Sequence, residues 1–272
     1  FTPDFGRTWY RANEMESAPP EFNAVLLSGP GQAWVVSRSL LLYTPDRGNT
    51  WTKATPMPGK FFYYGTSASI PGSYYQMQPP TYGVSIFRTA DGGLSWTPLP
   101  SPLPRNDYSS ICFANEQCGW VAGSHGMLVM TTDGGQSWRT NNLAPGLNTV
   151  QMQFIDPLNG WIRYSAANGG GILKTTDGGI SRKGLGKVPT AARSFVDMQW
   201  LDTSTGFLIA ETGHGKTQIW RTQDGGDKWQ MMGEHNLALI ALSFWSPDCG
   251  WVVGRRGHMV RYGPLPPAAG KQ

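Results

Sequence analysis

At 272 residues, 15% of them charged, with a net charge of +4 and a pI of about 9.0, the chain is too mildly basic to read as a nucleic-acid binder. It carries no run of Lys or Arg and no nucleic-acid motif. No stretch approaches the roughly 18 apolar residues needed to cross a bilayer, and 35 Gly with 21 Pro suit many short strands joined by tight turns.

The chain opens at Phe1 with neither Met nor a signal-peptide pattern, and so reads as a processed mature form or a trimmed piece. Its first element is the phrase Thr2–Trp9 (TPDFGRTW). The phrase returns at Thr44–Trp51, Thr89–Trp96, Thr131–Trp138 and Thr222–Trp229, and at Thr175–Arg182 with its last position lapsed. The aspartates, Asp4, Asp46, Asp91, Asp133, Asp177 and Asp224, are spaced by 42, 45, 42, 44 and 47 residues. A period in the forties built of strand-like runs and Gly-rich turns predicts a β-propeller with one four-stranded blade per repeat. Within the phrase the carboxylate accepts backbone N–H bonds of its own turn, Gly supplies the positive φ, and Trp fills space between sheets.

The cleanest unit is Ser109–Leu143. SSICFA reads as the first strand, GWVAG as the second and MLVMT as the third; the aspartate phrase turns the chain, and WRTNN begins the fourth. Second strands start at Gly119-Trp120, Gly160-Trp161, Gly206-Phe207 and Gly250-Trp251, with Ala33-Trp34 as a looser copy. Phe113, Phe154, Trp200 and Phe244 each lie seven residues before the aromatic. The last third-strand run, His258–Tyr262, has no aspartate phrase after it, whereas the chain begins with one. The expectation is therefore an all-β, six-bladed propeller of four-stranded antiparallel blades forming a single domain over 1–263. Residues 1–14 complete the last blade and close the ring, and 264–272 form a flexible tail.

The phrase is the Asp-box, or bacterial neuraminidase repeat. In the combination GWVAG…TTDGGQSW it resembles the photosystem II stability/assembly-factor-like family of propellers, over Thr2 to about Tyr262. Members of that family usually have seven blades, so six is a departure. The resemblance implies an exported, non-catalytic scaffold that binds another protein and assists an envelope or membrane complex, periplasmic or secreted with its leader removed. It implies no cofactor and no metal. The alternative is a carbohydrate-binding or glycoside-hydrolase propeller of the sialidase kind, with a glycan as partner, although the sialidase Arg-Ile-Pro start is missing.

Function is then sought where the repeat leaves residues unconstrained. Arg38, His125, His214, Lys216, Arg255, Arg256 and His258 fall in or beside turns between second and third strands, giving a basic face for an acidic protein partner, or an ordinary solvated rim. Three His in separate turns are too spread to share a metal. The irregular second repeat carries Tyr63, Tyr64, Tyr74, Tyr75 and Tyr82, either a partner or glycan patch or a blade repacked with Tyr for Trp. Gln151, Gln153, Asp197, Gln199 and Ser243 alternate with apolar residues on first strands, predicting a polar row along the central channel. Cys112 and Cys118 flank one hairpin turn and are candidates for a disulfide, with buried thiols the other reading.

Overall fold

A computed structural model describes residues 22–29, 31–37, 40–54, 66–67, 74–78, 85–100, 108–167, 169–185, 188, 194–213 and 216–263. They fall into two compact units, 1–145 and 146–272. In the first, β1 (Phe22–Gly29), β2 (Gln32–Ser37), β3 (Leu41–Thr44) and β4 (Thr52–Lys53) form one antiparallel sheet in chain order. The second sheet joins β5 (Thr66–Ser67), β6 (Tyr74–Gln78), β7 (Ser85–Thr89) and β8 (Thr97–Leu99). The third joins β9 (Tyr108–Phe113), β10 (Gly119–Gly123), β11 (Leu128–Thr131) and β12 (Arg139–Thr140).

The other unit repeats the plan. One sheet is β13 (Asn148–Phe154), β14 (Gly160–Ala166), β15 (Gly169–Thr175) and β16 (Lys183–Gly184). The next is β17 (Ser194–Trp200), β18 (Gly206–Gly213), β19 (Lys216–Thr222) and β20 (Gln230–His235). The last has three strands, β21 (Leu239–Ser246), β22 (Cys249–Gly254) and β23 (Met259–Tyr262). The chain is an all-β protein of the propeller class, but the described residues make five complete blades rather than the six expected. Among the described residues the last sheet has three strands; the segment expected to supply a fourth, residues 1–14, lies outside the described residues, as does the tail 264–272.

The Gly-Trp phrase has a packing cause. Gly119, Gly160, Gly206 and Gly250 stand opposite Phe113, Phe154, Trp200 and Phe244 on the neighbouring strand. Each ring lies flat on its glycine, where a Cβ would come within 2.4–2.5 Å of it, so no larger residue fits. The aromatic after the glycine stacks on the first-strand ring of the following sheet. Trp161 lies on Trp200 at 4.0 Å and Phe207 on Phe244 at 3.9 Å. The Asp-box Trp closes the stack edge-on, Trp138 against Phe113 and Trp229 against Trp200. Such pairs contribute about 0.5–1.5 kcal/mol each beyond area burial, and here they bind one sheet to the next.

The Asp-box is a closed hydrogen-bond unit. Asp133 accepts from Thr131 Oγ1 (2.8 Å), Ser137 N (2.9 Å) and Ser137 Oγ (2.5 Å), while Thr131 Oγ1 accepts from Gly135 N. The same bonds recur around Asp46, Asp91 and Asp177, and around Asp224 with Lys228 in place of the hydroxyl residue. The N–H of the residue after the aspartate donates to the hairpin turn between first and second strands of its own sheet, Gly134 to Gln117 O and Gly225 to Ser204 O, both at 2.8 Å. These carboxylates are spent on structure. No helix of the described residues is long and apolar enough to cross a membrane.

Candidate functional site

First strands carry the polar row, and its glutamines reach from one sheet to the next. In the second unit Gln153 donates Nε2 to Trp200 O and accepts from Trp200 N, both at 2.8 Å, so β13 is bound to β17 by a side chain imitating a ladder pair. Gln199 does the same to Phe244 O and N at 3.0 and 2.6 Å, binding β17 to β21. Gln151 repeats the arrangement one step along, with Nε2 on Met198 O and Oε1 accepting from Met198 N. These glutamines are partly buried clasps between successive sheets. Ser243, at the register of Gln153 and Gln199, is exposed.

Asp197 holds the register of Gln151 but has no N–H to give. Its Oδ2 accepts from Leu242 N (2.9 Å); its Oδ1 accepts from Gln151 Nε2 (2.8 Å) and Met198 N (2.9 Å). One carboxylate thus ties β13, β17 and β21. Desolvation pushes its pKa up, against the opposing pull of those three N–H bonds and of Arg163. Arg163 donates Nε to Gln151 Oε1 (3.1 Å) and Nη1 to Phe195 O; burial lowers its pKa and Asp197 acts the other way.

The basic turns are where the register places them, at the sheet ends away from the Asp-boxes. Arg255–Gly257 is a tight 3₁₀ turn with Arg255, Arg256 and His258 exposed, and Lys216 at the same end of the preceding sheet lies 4.0 Å from Glu234. Arg256 adopts φ 58° and its counterpart in the first unit, His125, φ 57°. His125 therefore matches Arg256, whereas His258 has the place of Met127, so the histidines are not equivalent residues. Arg38 and His214 lie outside the described residues.

The tyrosine patch is corrected at its centre. Tyr75 is 1% exposed and stacks on Phe113 at 3.8 Å, filling the place of the second-strand Trp; burial pushes its phenol up to about 12. It is core because β6 must supply a ring to cover β9. Tyr63, Tyr64 and Tyr82 lie outside the described residues, as does the side chain of Tyr74. The disulfide is corrected too: Cys112, Cys118 and Cys249 are thiols. Cys118 stands opposite Ala114 and Cys112 opposite Trp120, so the two cysteines are diagonal neighbours. Diagonal Cα atoms are about 7–8 Å apart, beyond the roughly 4.4–6.8 Å that a bridge spans.

A row of cations escaped the sequence reading. Arg88, Lys174 and Arg221 each immediately precede the Thr of an Asp-box and pair across strands with Tyr75, Trp161 and Phe207. Arg88 and Lys174 lie over their rings at 5.6 Å, and Arg261, opposite Trp251, lies over that ring at 5.8 Å. The signal was available as a basic residue one place before the repeated Thr. Two of these residues cross to the next sheet, Arg221 to Asp248 at 2.7 Å and Arg88 to Glu116 at 3.6 Å.

Repeated four-stranded sheets, ring stacks on glycine and closed aspartate turns define an Asp-box β-propeller. Residues 82–187 match the family described as photosynthesis system II assembly factor YCF48. The chain is 24% identical over 294 residues to the chloroplastic photosystem II stability/assembly factor HCF136 of Arabidopsis thaliana, covering 96% of this chain and 69% of that protein. It is 29% identical over 184 residues to the photosystem II assembly lipoprotein Ycf48 of Synechococcus sp. (strain CC9902), covering 65% of this chain and 52% of the relative. The solved YCF48 from Cyanidioschyzon merolae has the same fold, with a TM-score of 0.62 and 18% identity, covering 90% of this chain and 83% of the other. Over residues 82–187 and in these relatives, the chain is similar to the photosystem II stability/assembly-factor-like family of Asp-box propellers.

Proposed function

We propose that this chain is a non-catalytic scaffold that binds another protein and assists the assembly or stability of an envelope or membrane complex. The observation that carries the reading is its likeness, over 96% of its length, to a protein named a stability/assembly factor. The exposed cations Arg255, Arg256 and His258, with Lys216 at the same end of the preceding sheet, are the surface we assign to the partner. An acidic face would be steered to it. The test is recovery of partners from native envelope extracts by the full chain and by the R255E/R256E double variant. Loss of a specific partner from the variant supports the reading, and identical recovery counts against this surface. Specific retention on a glycan array would favour the carbohydrate reading instead.

We further infer an exported, periplasmic or secreted location, supported by the lipoprotein and chloroplastic names of the relatives. Fractionation of cells making the native protein tests it, and a cytosolic pool alone would overturn it. For architecture we propose six blades, with residues 1–14 adding the fourth strand to β23. The support is the sixth Asp-box phrase at Thr2–Trp9 beside a sheet of three described strands. Deleting residues 1–14 should then lower the melting temperature; an unchanged transition would refute this closure.

A further inference from the structure

The last sheet turns an apolar row outward at the end that carries the Arg255–Gly257 turn. Counted from the glycine that opens the second strand, or from Ala33 in the first sheet, Val253 and Met259 form a cross-strand pair. Ile209 and Ile219, Ala122 and Leu128, and Val36 and Leu41 form the same pair in their own sheets. Those six residues are at most 1% exposed, whereas Val253 is 37% and Met259 47% exposed. Ile240 joins the row. It is the extra residue of a β-bulge between Leu239 and Ala241. Leu239 and Leu242 both pack into the core cluster shared with β18 and β19, so the two residues between them are turned to the opposite face. Ile240 is 46% exposed.

The same hairpin carries cations at its tip. The order Val253-Gly254-Arg255-Arg256-Gly257-His258-Met259 sets Arg255, Arg256 and His258, all exposed, between the two apolar residues. The turn is held in place: Gly254 N donates to His258 O (2.8 Å), His258 N to Arg255 O (3.3 Å) and Arg255 N to Ala238 O (3.1 Å). Arg256 sits in it at φ 58°, a conformation that glycine adopts without steric cost. Among the described residues neither Arg255 nor Arg256 has an ion pair. The carboxylates at this end of the preceding sheet are engaged elsewhere, Glu234 with Lys216 and Gln218 and Glu211 with Ser194. Arg and Met are enriched where proteins meet, and Lys and Glu are depleted.

We infer that this hairpin binds an acidic segment of a partner protein through an apolar anchor. A Leu-like side chain of the segment lies across Ile240, Val253 and Met259, and carboxylates beside it pair with Arg255 and Arg256. This rests on the scaffold reading proposed above and adds to the basic turn an apolar row that selects among acidic partners. The row crosses three strands, roughly 10 Å at about 4.8 Å per strand, which suits one or two side chains of an extended segment. Charge steers the segment to the turn, and burial of the anchor fixes its position there.

The experiment is an amide and methyl chemical-shift titration of the full chain with three capped peptides. They are acetyl-Asp-Glu-Leu-Glu-Asp-amide, the same sequence with Ser for Leu, and acetyl-Lys-Lys-Leu-Lys-Lys-amide. The acidic Leu peptide should shift Val253, Gly254, Arg256 and Met259 and bind about tenfold more tightly than the Ser peptide. The basic peptide should shift none of them. Met259→Gln should abolish the preference for Leu and leave the Ser peptide unchanged, and R255E/R256E should weaken both acidic peptides. Dilute peroxide should oxidise Met259 as fast as Met231, which is 49% exposed, and faster than Met198, which is 3% exposed. Equal binding of the Leu and Ser peptides, or a Met259 protected like Met198, would overturn the apolar anchor. Acidic peptides that bind R255E/R256E unweakened would overturn the part given to the turn. In native envelope extracts, a partner lost from R255E/R256E but kept by Met259→Gln would sink the anchor and leave the scaffold reading standing. The expected peptide shifts with no protein recovered would support the hairpin site and count against that reading.

Discussion

Gln153 and Trp200 are joined by a reciprocal pair of hydrogen bonds, side-chain amide to backbone amide, both 2.8 Å long. Gln199 and Phe244 repeat the pair one sheet further. First strands of neighbouring blades run too far apart for a backbone ladder, yet their edge N–H and C=O groups still need partners. A glutamine offers one donor and one acceptor at the reach of a side chain, and so extends sheet-like pairing across the gap between blades.

Gln153→Leu keeps the approximate volume and removes both bonds. Trp200 N–H and C=O are then left without their clasp in a partly buried strand, at roughly 1–3 kcal/mol for a buried unsatisfied group. We expect a loss of about 2 kcal/mol in urea unfolding of the full chain, against little change for a leucine at exposed Ser243, which clasps nothing among the described residues. A loss under about 0.5 kcal/mol would mean that water replaces the glutamine without cost.

Asp197 gives a pH dependence of defined sign. Its folded pKa is raised, chiefly by desolvation, above that of the unfolded chain. Folding therefore favours the protonated carboxyl, and the group's contribution to stability is full below the unfolded value and declines as pH rises through the folded one. The stability of the parent chain minus that of Asp197→Asn should fall with increasing pH across this window. Denaturant titrations at a series of pH values check it, and a difference that rises with pH would show that the three N–H donors and Arg163 outweigh desolvation.

The strands and blades were readable because a period in the forties repeats the same cross-strand requirements: a ring, a glycine beneath it and an aspartate turn. The roles of Gln151, Gln153 and Gln199 were only half readable. Their alternation marked one face of the strand, but what that face meets depends on the next blade's register, with Trp200 some 47 positions away from Gln153. Tyr75 was left between two readings, surface patch and repacked blade, for a local reason: it follows Tyr74 rather than Gly, so the Gly-aromatic mark of a second strand was absent although the packing position was kept. Arg88 and Arg221 differ in what the following turn supplies, a distinction no single repeat contains.

The Asp-box carboxylates act with the opposite sign from Asp197. Asp133 is held at about 2, first by the Ser137 hydroxyl, then by Ser137 N–H and Thr131. A lowered folded pKa stabilises above the unfolded value, and the contribution is lost as pH falls through the folded one. Ser137→Ala removes the 2.5 Å bond to Oδ2 and should raise the Asp133 pKa toward the ordinary carboxylate range. Carbon-detected titration of the carboxyl groups measures this directly. A value unmoved by the substitution would assign the shift to backbone donors instead.

Arg47 occupies a glycine's place. In the other boxes among the described residues the residue after the aspartate is Gly92, Gly134, Gly178 or Gly225, all with φ of 71–73°, whereas Arg47 adopts φ 64°. Its N–H still donates to Gly31 O at 2.7 Å, so the turn bond persists and the strain lies in the side chain. A left-handed non-glycine residue costs about 1–2 kcal/mol, and glycine's extra freedom in the unfolded chain returns about 0.5–1 kcal/mol of that. Arg47→Gly should therefore stabilise by roughly 0.5–1 kcal/mol, read as a higher thermal midpoint. The reverse change, Gly134→Ala, should destabilise by more than this gain, because its Cβ would come within 2.9 Å of the Glu116 carbonyl in addition to the same strain. If Arg47→Gly lowers the midpoint, the packing of the Arg47 stem against Gly31 outweighs the backbone strain.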